Sequence, residues 1–269
     1  MSGKNLLYAL LLFTGTLLSC DRKQDIQPED SPYEYIQNTA TSSVFYGPSQ
    51  PLGPGVARTW IETTHAGQPV AIGLNFSSKV SLENLPKQQE MYHLKFHGQA
   101  VFAPFVGMMF DWNPEGHIPL DLYEKPHFDI HFYMVSDEEH MNIPLGVDYP
   151  HADWFERDYM PSNYTSLRLA IPGMGNHWVD EGAPEMTGEG FSKTLILGAY
   201  EDKQTFIEPM ITLGYFQQLK PNETVTAPVS EFPKVQKSGY YPTKYTITYD
   251  PVPGVYKVAL TDLVYRRAE

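Results

Sequence analysis

Pro126-His127-Phe128-Asp129-Ile130-His131-Phe132-Tyr133 alternates between polar and apolar side chains, and a period of two is the mark of a β-strand. On such a strand His127, Asp129, His131 and Tyr133 share one face. Phe128, Ile130, Phe132 and Met134 share the other, which must meet a core. Related segments recur at 57–64, 70–76, 91–97, 127–135, 194–200, 205–213, 245–249 and 255–260. They are rich in β-branched and aromatic residues and are separated by Gly, Pro, Asn and Asp. With 23 prolines and 20 glycines in 269 residues, the expected fold is mainly β: an antiparallel sandwich or barrel-like domain with few short helices. His65-Ala66-Gly67-Gln68 and Glu201-Asp202-Lys203-Gln204 read as hairpin turns. Short helices are expected over 137–141, where Ser136 can cap, and over 152–159.

Upstream of this pattern the chain changes character. Lys4, the apolar stretch from Leu6 to Leu18, and then Ser19-Cys20 read as a lipoprotein signal peptide over residues 1–19. The stretch falls within the roughly 7–15 residues of a signal core. It is short of the roughly 20 that span a bilayer. Cys20, the single cysteine, would carry the lipid and be the sole membrane anchor. Residues 20–52 are polar, with Pro28, Pro32, Pro48 and Pro51, and read as a flexible tether. A single β-rich domain is expected over 53–269. The expected location is the bacterial cell envelope, on the periplasmic face or cell surface.

The net charge is −13, and loss of Lys4 with the leader makes it one unit more negative. With no basic stripe to neutralise phosphates, nucleic acid is excluded as a partner. Once Cys20 is lipidated no thiol remains for a disulfide or for thiol catalysis. No Gly-x-Ser-x-Gly elbow, P-loop or dinucleotide fingerprint occurs.

What remains is imidazole and carboxylate chemistry. Gly173-Met174-Gly175-Asn176-His177-Trp178-Val179-Asp180 reads as a tight loop delivering His177 to the start of a strand. Glu208 interrupts the otherwise apolar segment 205–213, and a buried carboxylate needs a cation or several donors. His117 is near enough in sequence to join them. His127, His131 and His177 are therefore candidate ligands of a divalent metal, zinc first, with Glu208 as a fourth ligand or general base. Asp129 is a ligand or an orienter of a neighbouring imidazole. Strand geometry restricts the set: residues four apart lie roughly 13 Å from each other, so His127 and His131 share one ion only if the strand bends. If such a site activates water, the chain is a metal-assisted hydrolase or a related enzyme. The alternative is a non-catalytic binding or structural lipoprotein, in which the same cluster is a metal-free hydrogen-bond network. A sugar-binding surface with exposed Tyr and Trp is a third reading.

Gly55-Val56-Ala57-Arg58-Thr59-Trp60, Pro69-Val70-Ala71-Ile72-Gly73, Pro126–Tyr133, Gly173–Asp180 and Ile207–Thr212, in this order, carry a resemblance. Together they resemble an uncharacterised family of exported bacterial proteins that includes a Thermus protein controlled by an extracytoplasmic-function sigma factor. The resemblance covers roughly Gly53 to Leu213. It implies a β-rich fold, an envelope-associated role and a ring-like homo-oligomer. It implies no catalytic residues, substrate or ligand.

Overall fold

The computed structural model describes residues 32–147 and 157–269. Two antiparallel eight-stranded sheets make up the fold. The first runs, in spatial order, β1 (Tyr35–Asn38), β2 (Ser42–Tyr46), β4 (Gly55–Thr64), β5 (Pro69–Ser77), β16 (Val255–Arg266), β15 (Gly239–Asp250) and β14 (Thr224–Pro228), with β3 (Gln50–Leu52) also paired to β4. The second runs β6 (Glu90–Leu94), β7 (Gly107–Asn113), β8 (His127–Tyr133), β13 (Lys203–Thr212), β12 (Lys193–Tyr200), β11 (Gly175–Asp180), β10 (Tyr164–Ile171) and β9 (Gly146–Val147). The helices are short: α1 (Leu120–Tyr123), α2 (Asp137–Met141) and α3 (Leu213–Gln218).

The sandwich forms because both sheets turn an aromatic face inward. Phe76 of β5 touches Phe110, Phe128 and Phe216 with ring centroids 5.3, 5.1 and 5.0 Å away, and Tyr256 at 5.5 Å. Each such ring contributes about 1.5–3 kcal/mol by leaving water. Phe128, Ile130 and Phe132 all lie in this core, as the alternation on β8 requires.

Both hairpin turns form. Gly67 takes a φ of 80° between β4 and β5. The second turn is tighter than the four residues expected: Glu201 adopts a φ of 56°, and β13 begins at Lys203. At α2, Ser136 accepts the Glu139 N–H at 3.2 Å while Glu139 accepts the Ser136 N–H at 2.9 Å, a complete capping box. Of the helix expected over 152–159, Arg157–Tyr159 form a 3-10 turn and the rest lies outside the described residues.

The expected tether does not extend to residue 52. β1, β2 and β3 already belong to the first sheet, so the described domain begins well before residue 53. A few aromatics suffice to hold these polar strands at a sheet edge. Tyr35 stacks on Tyr46 at 4.4 Å, and the Arg58 guanidinium lies 4.8 Å from the Tyr35 ring centre. At the other end, β16 pairs with β5, so residues beyond Pro221 complete the first sheet. Residues 1–31, including the expected leader and Cys20, lie outside the described residues. Among the described residues no helix is long and apolar enough to cross a membrane.

The polar face of β8 does not meet solvent. All seven of its residues are buried. A second apolar cluster, containing Met109, Val179, Ile196, Phe206 and Met210, covers the outward face of the second sheet together with Tyr123 and Phe191 from the connecting segments. His127, Asp129 and His131 are enclosed within that layer.

Candidate metal centre

Antiparallel register gathers the polar residues of several strands on this outward face. Asp129 pairs with Asp111 on β7 and with Met210 on β13. The same β8–β13 register sets Glu208 opposite His131, and Ile196 links Glu208 to Val179 two strands away. His177 shares a face with Val179, as the sequence indicates, while Trp178 enters the inter-sheet core. Two glycines make the outer placements feasible. Gly175 adopts a φ of 94°, and a Cβ there would lie 2.4 Å from Ala199 O, so the chain enters β11 closely enough to set His177. Gly116, at a φ of 74°, lets the loop before α1 pass Tyr123 and place His117 over β8.

The candidates sort into two groups. In one, His131, His177 and Glu208 each offer a ligand atom within 4.8 Å of the others. In the other, His117, His127 and Asp129 do the same. His127 and His131 thus belong to separate groups, as expected for an unbent strand that carries them four residues apart. Asp129 lies with His127 and His117, not with the Glu208 set.

In the first group, His131 Nε2 is 3.3 Å from Glu208 Oε1, and His177 Nε2 is 3.9 Å from Glu208 Oε2. His177 Nδ1–H donates to Gly175 O at 3.2 Å, which fixes the tautomer and leaves the Nε2 lone pair facing the carboxylate. On the far side of His131, Nδ1 is 3.7 Å from Asp111 Oδ2. Among the described residues, both ring nitrogens of His131 and Glu208 Oε2 lack a hydrogen bond. Burial holds the His131 and His177 imidazoles down at about 3 and about 4, so both are neutral lone-pair donors near neutral pH. Burial, with the Asp129 and Asp111 charges, raises Glu208 well above the usual carboxylate range. Asp111 is raised by burial and by Asp129.

In the second group, Asp129 accepts from Asn113 Nδ2 at 2.7 Å. His117 Nε2 is 3.2 Å from its Oδ2, and His127 Nε2 is 3.0 Å from its Oδ1. Burial opposes the charge on Asp129, but His127 and His117 outweigh it and hold the carboxyl well below its ordinary value. Burial likewise disfavours charge on His117, and the Asp129 carboxylate outweighs it, raising this imidazole.

Members of both groups face a single cavity of about 320 Å³. Asp111, His117, Asp129, His131, His177 and Glu208 form its polar wall, while aliphatic side chains such as Leu167, Ile171 and Met174 form the rest. His127 stands behind this wall, fully buried and edge-on to Phe191 at 5.2 Å. Asp111 in this wall and Asn113, which donates to Asp129, were not singled out from the sequence. Both sit on β7, where Met108, Phe110 and Trp112 alternate with Met109, Asp111 and Asn113; that period of two was the available signal.

No known family model, curated protein or solved structure matches this chain. The site's own chemistry therefore carries the functional argument. It contains buried histidine–carboxylate groups that have the donor types and spacing for a divalent ion or for a hydrogen-bond network.

Proposed function

We propose that this chain is a lipid-anchored protein of the bacterial cell envelope in which His131, His177 and Glu208 bind a divalent metal ion, zinc first, to activate water. The observation that carries the metal is the condition of the donors. Imidazoles from β8 and β11, neutral near neutral pH, stand 3.3 and 3.9 Å from the buried Glu208 carboxyl group of β13, and Glu208 Oε2 has no hydrogen bond among the described residues. Two histidines and one glutamate form a ligand set that leaves a coordination position open. Asp111 Oδ2 stands 3.7 Å behind His131 Nδ1, on the side from which a carboxyl group usually supports such a ligand. When bound, the ion supplies a Lewis acid that brings the pKa of water near neutrality.

The chain's own residues supply the rest. The cavity admits a small ligand with an apolar body, and its volume lies at the lower end of the roughly 300–1,000 Å³ usual for ligand sites. The metal-free network reading fits Asp129 Oδ2, which accepts from Asn113 and meets His117. It supplies no hydrogen bond to either ring nitrogen of His131 or to Glu208 Oε2. The Leu18-Ser19-Cys20 motif supports the anchor, and the resemblance of the Pro126–Tyr133 and Gly173–Asp180 segments to exported proteins supports the envelope and assembly of several copies.

The test is elemental analysis of the full-length chain, purified without a histidine tag, beside His177→Ala and followed by a hydrolase screen. Near-stoichiometric metal, lost in a folded His177→Ala protein, is the expected result. A chain that stays metal-free after exposure to zinc or manganese would overturn the metal centre and leave the network reading. For the anchor, Cys20→Ser should move the protein from the membrane fraction to the soluble fraction; retention in the membrane would refute lipidation.

A further inference from the structure

The His117–His127–Asp129 group has an electrostatic feature that the first centre does not explain. His127 Nδ1–H donates to Lys125 O at 2.6 Å, and His117 Nδ1–H donates to Ile118 O at 2.8 Å. A carbonyl oxygen only accepts, so each Nδ1 carries the proton and each Nε2 of a neutral ring carries a lone pair. The two Nε2 atoms face the two oxygens of one carboxylate, at 3.0 Å for His127, without a hydrogen bond, and at 3.2 Å for His117, in hydrogen-bonding geometry. The unsatisfied pair is His127 Nε2 and Asp129 Oδ1, with His117 beside them.

A proton on His117 Nε2 is accommodated, because that nitrogen meets Asp129 Oδ2 in hydrogen-bonding geometry at 3.2 Å, but the contact at His127 does not accommodate one. His127 and Asp129 are both buried, and His127 Nε2 and Asp129 Oδ1 are only 3.0 Å apart. Neither atom has a hydrogen-bond partner among the described residues. An N–H on His127 would therefore miss the oxygen beside it. Donors that approach closely without aligning on each other are arranged to meet a third atom. The three ligand atoms lie within 4.8 Å of one another, and one divalent ion replaces two protons in charge.

We infer that His117, His127 and Asp129 form a second divalent-cation site, so that the cavity wall carries two metal centres. The supports behind its ligands are already in place. Lys125 O and Ile118 O hold the two rings, and Asn113 Nδ2 holds Asp129 Oδ2, leaving Oδ1 for the ion. His117 and Asp129 line the cavity with His131, His177 and Glu208, so both sites serve the same space. A ligand entering it would meet two cations on one side and an aliphatic wall on the other. That arrangement suits an anionic head group, a phosphate or a carboxylate, on an apolar body.

The inference uses none of the donors of the first centre, and one experiment separates the two. The full-length chain is loaded with zinc chloride, freed of excess ion and analysed for bound zinc beside His177→Ala, His117→Ala and Asp129→Asn. His117 is partly exposed on a loop, so its truncation should leave the fold intact, to be checked by circular dichroism and thermal melting. Two equivalents in the parent, one in His177→Ala, and one in both His117→Ala and Asp129→Asn is the expected pattern. One equivalent that survives His117→Ala but not His177→Ala would overturn the second site and leave the first. One equivalent lost with His117→Ala but kept in His177→Ala would support this site and refute the first. A parent that binds no zinc overturns both.

Discussion

Phe206 lies over Gly198. A Cβ added to Gly198 would fall 2.2 Å from the Phe206 ring, and that ring in turn stands edge-on to His131 at 4.8 Å and to His177 at 5.1 Å. A glycine on β12 thus lets one aromatic ring fix the angle between two imidazoles contributed by different strands.

Gly198→Ala should therefore act on the site through packing alone. Forcing a methyl group into a filled layer costs about 1–3 kcal/mol. The displaced ring would turn both histidines, so zinc affinity should fall by at least about tenfold while the protein remains folded. Chemical denaturation and zinc titration measure the two effects separately. Unchanged affinity in a destabilised variant would show that Phe206 does not orient the ligands.

Asp111→Asn probes the other side of His131. Asp111 Oδ2 lies 3.7 Å from His131 Nδ1, on the side opposite the nitrogen that faces Glu208. Replacing the carboxyl partner behind a metal-ligating histidine typically weakens metal binding about 10–100-fold. The same loss is expected here with the stoichiometry unchanged at saturation. Full parental affinity in Asp111→Asn would reduce Asp111 to a packing role.

The fold was largely legible because β8, β12 and β13 carry strong alternation or dense β-branched runs, and Gly67 marks its hairpin. β7 was not: Asp111 and Asn113 are poor strand formers, and their place in a strand is stabilised by burial against β8. β1 to β3 escaped notice because their register comes from pairing with one another and with β4, not from their own hydrophobicity. The site residues His127, Asp129, His131, His177 and Glu208 could be named from sequence, but their partition could not. Which histidine meets which carboxylate depends on inter-strand register, and a single sequence does not contain that pairing.

The two faces of the second sheet should be separable by mutation. Phe76 packs only in the inter-sheet core, against Phe110, Phe128, Phe216 and Tyr256. Phe76→Ala should cost about 3–5 kcal/mol of stability. Below its lowered melting point the variant should still bind the parental amount of zinc. Loss of zinc in the folded variant would show that the site depends on the opposite sheet.

Metal uptake should release protons, and the shifted groups say from where. His131 and His177, held down at about 3 and about 4, are already neutral above mildly acidic pH and have no proton to lose. Glu208 is raised by burial and by the Asp129 and Asp111 charges, so it holds a proton that an incoming cation must displace. Zinc affinity at this centre should therefore rise with pH as long as Glu208 remains protonated in the free protein. The metal-free fold has the opposite dependence at Glu208: a carboxyl raised in the native state stabilises below its unfolded value and loses that contribution as pH rises. The depressed histidines have the reverse sign, stabilising fully above about 6.5 and losing this as pH falls toward their native values. Calorimetric titration with zinc in buffers of different ionisation enthalpy counts the released protons. Glu208→Gln should abolish release at this centre, whereas His117→Ala should not; release that persists in Glu208→Gln would assign the proton to another group.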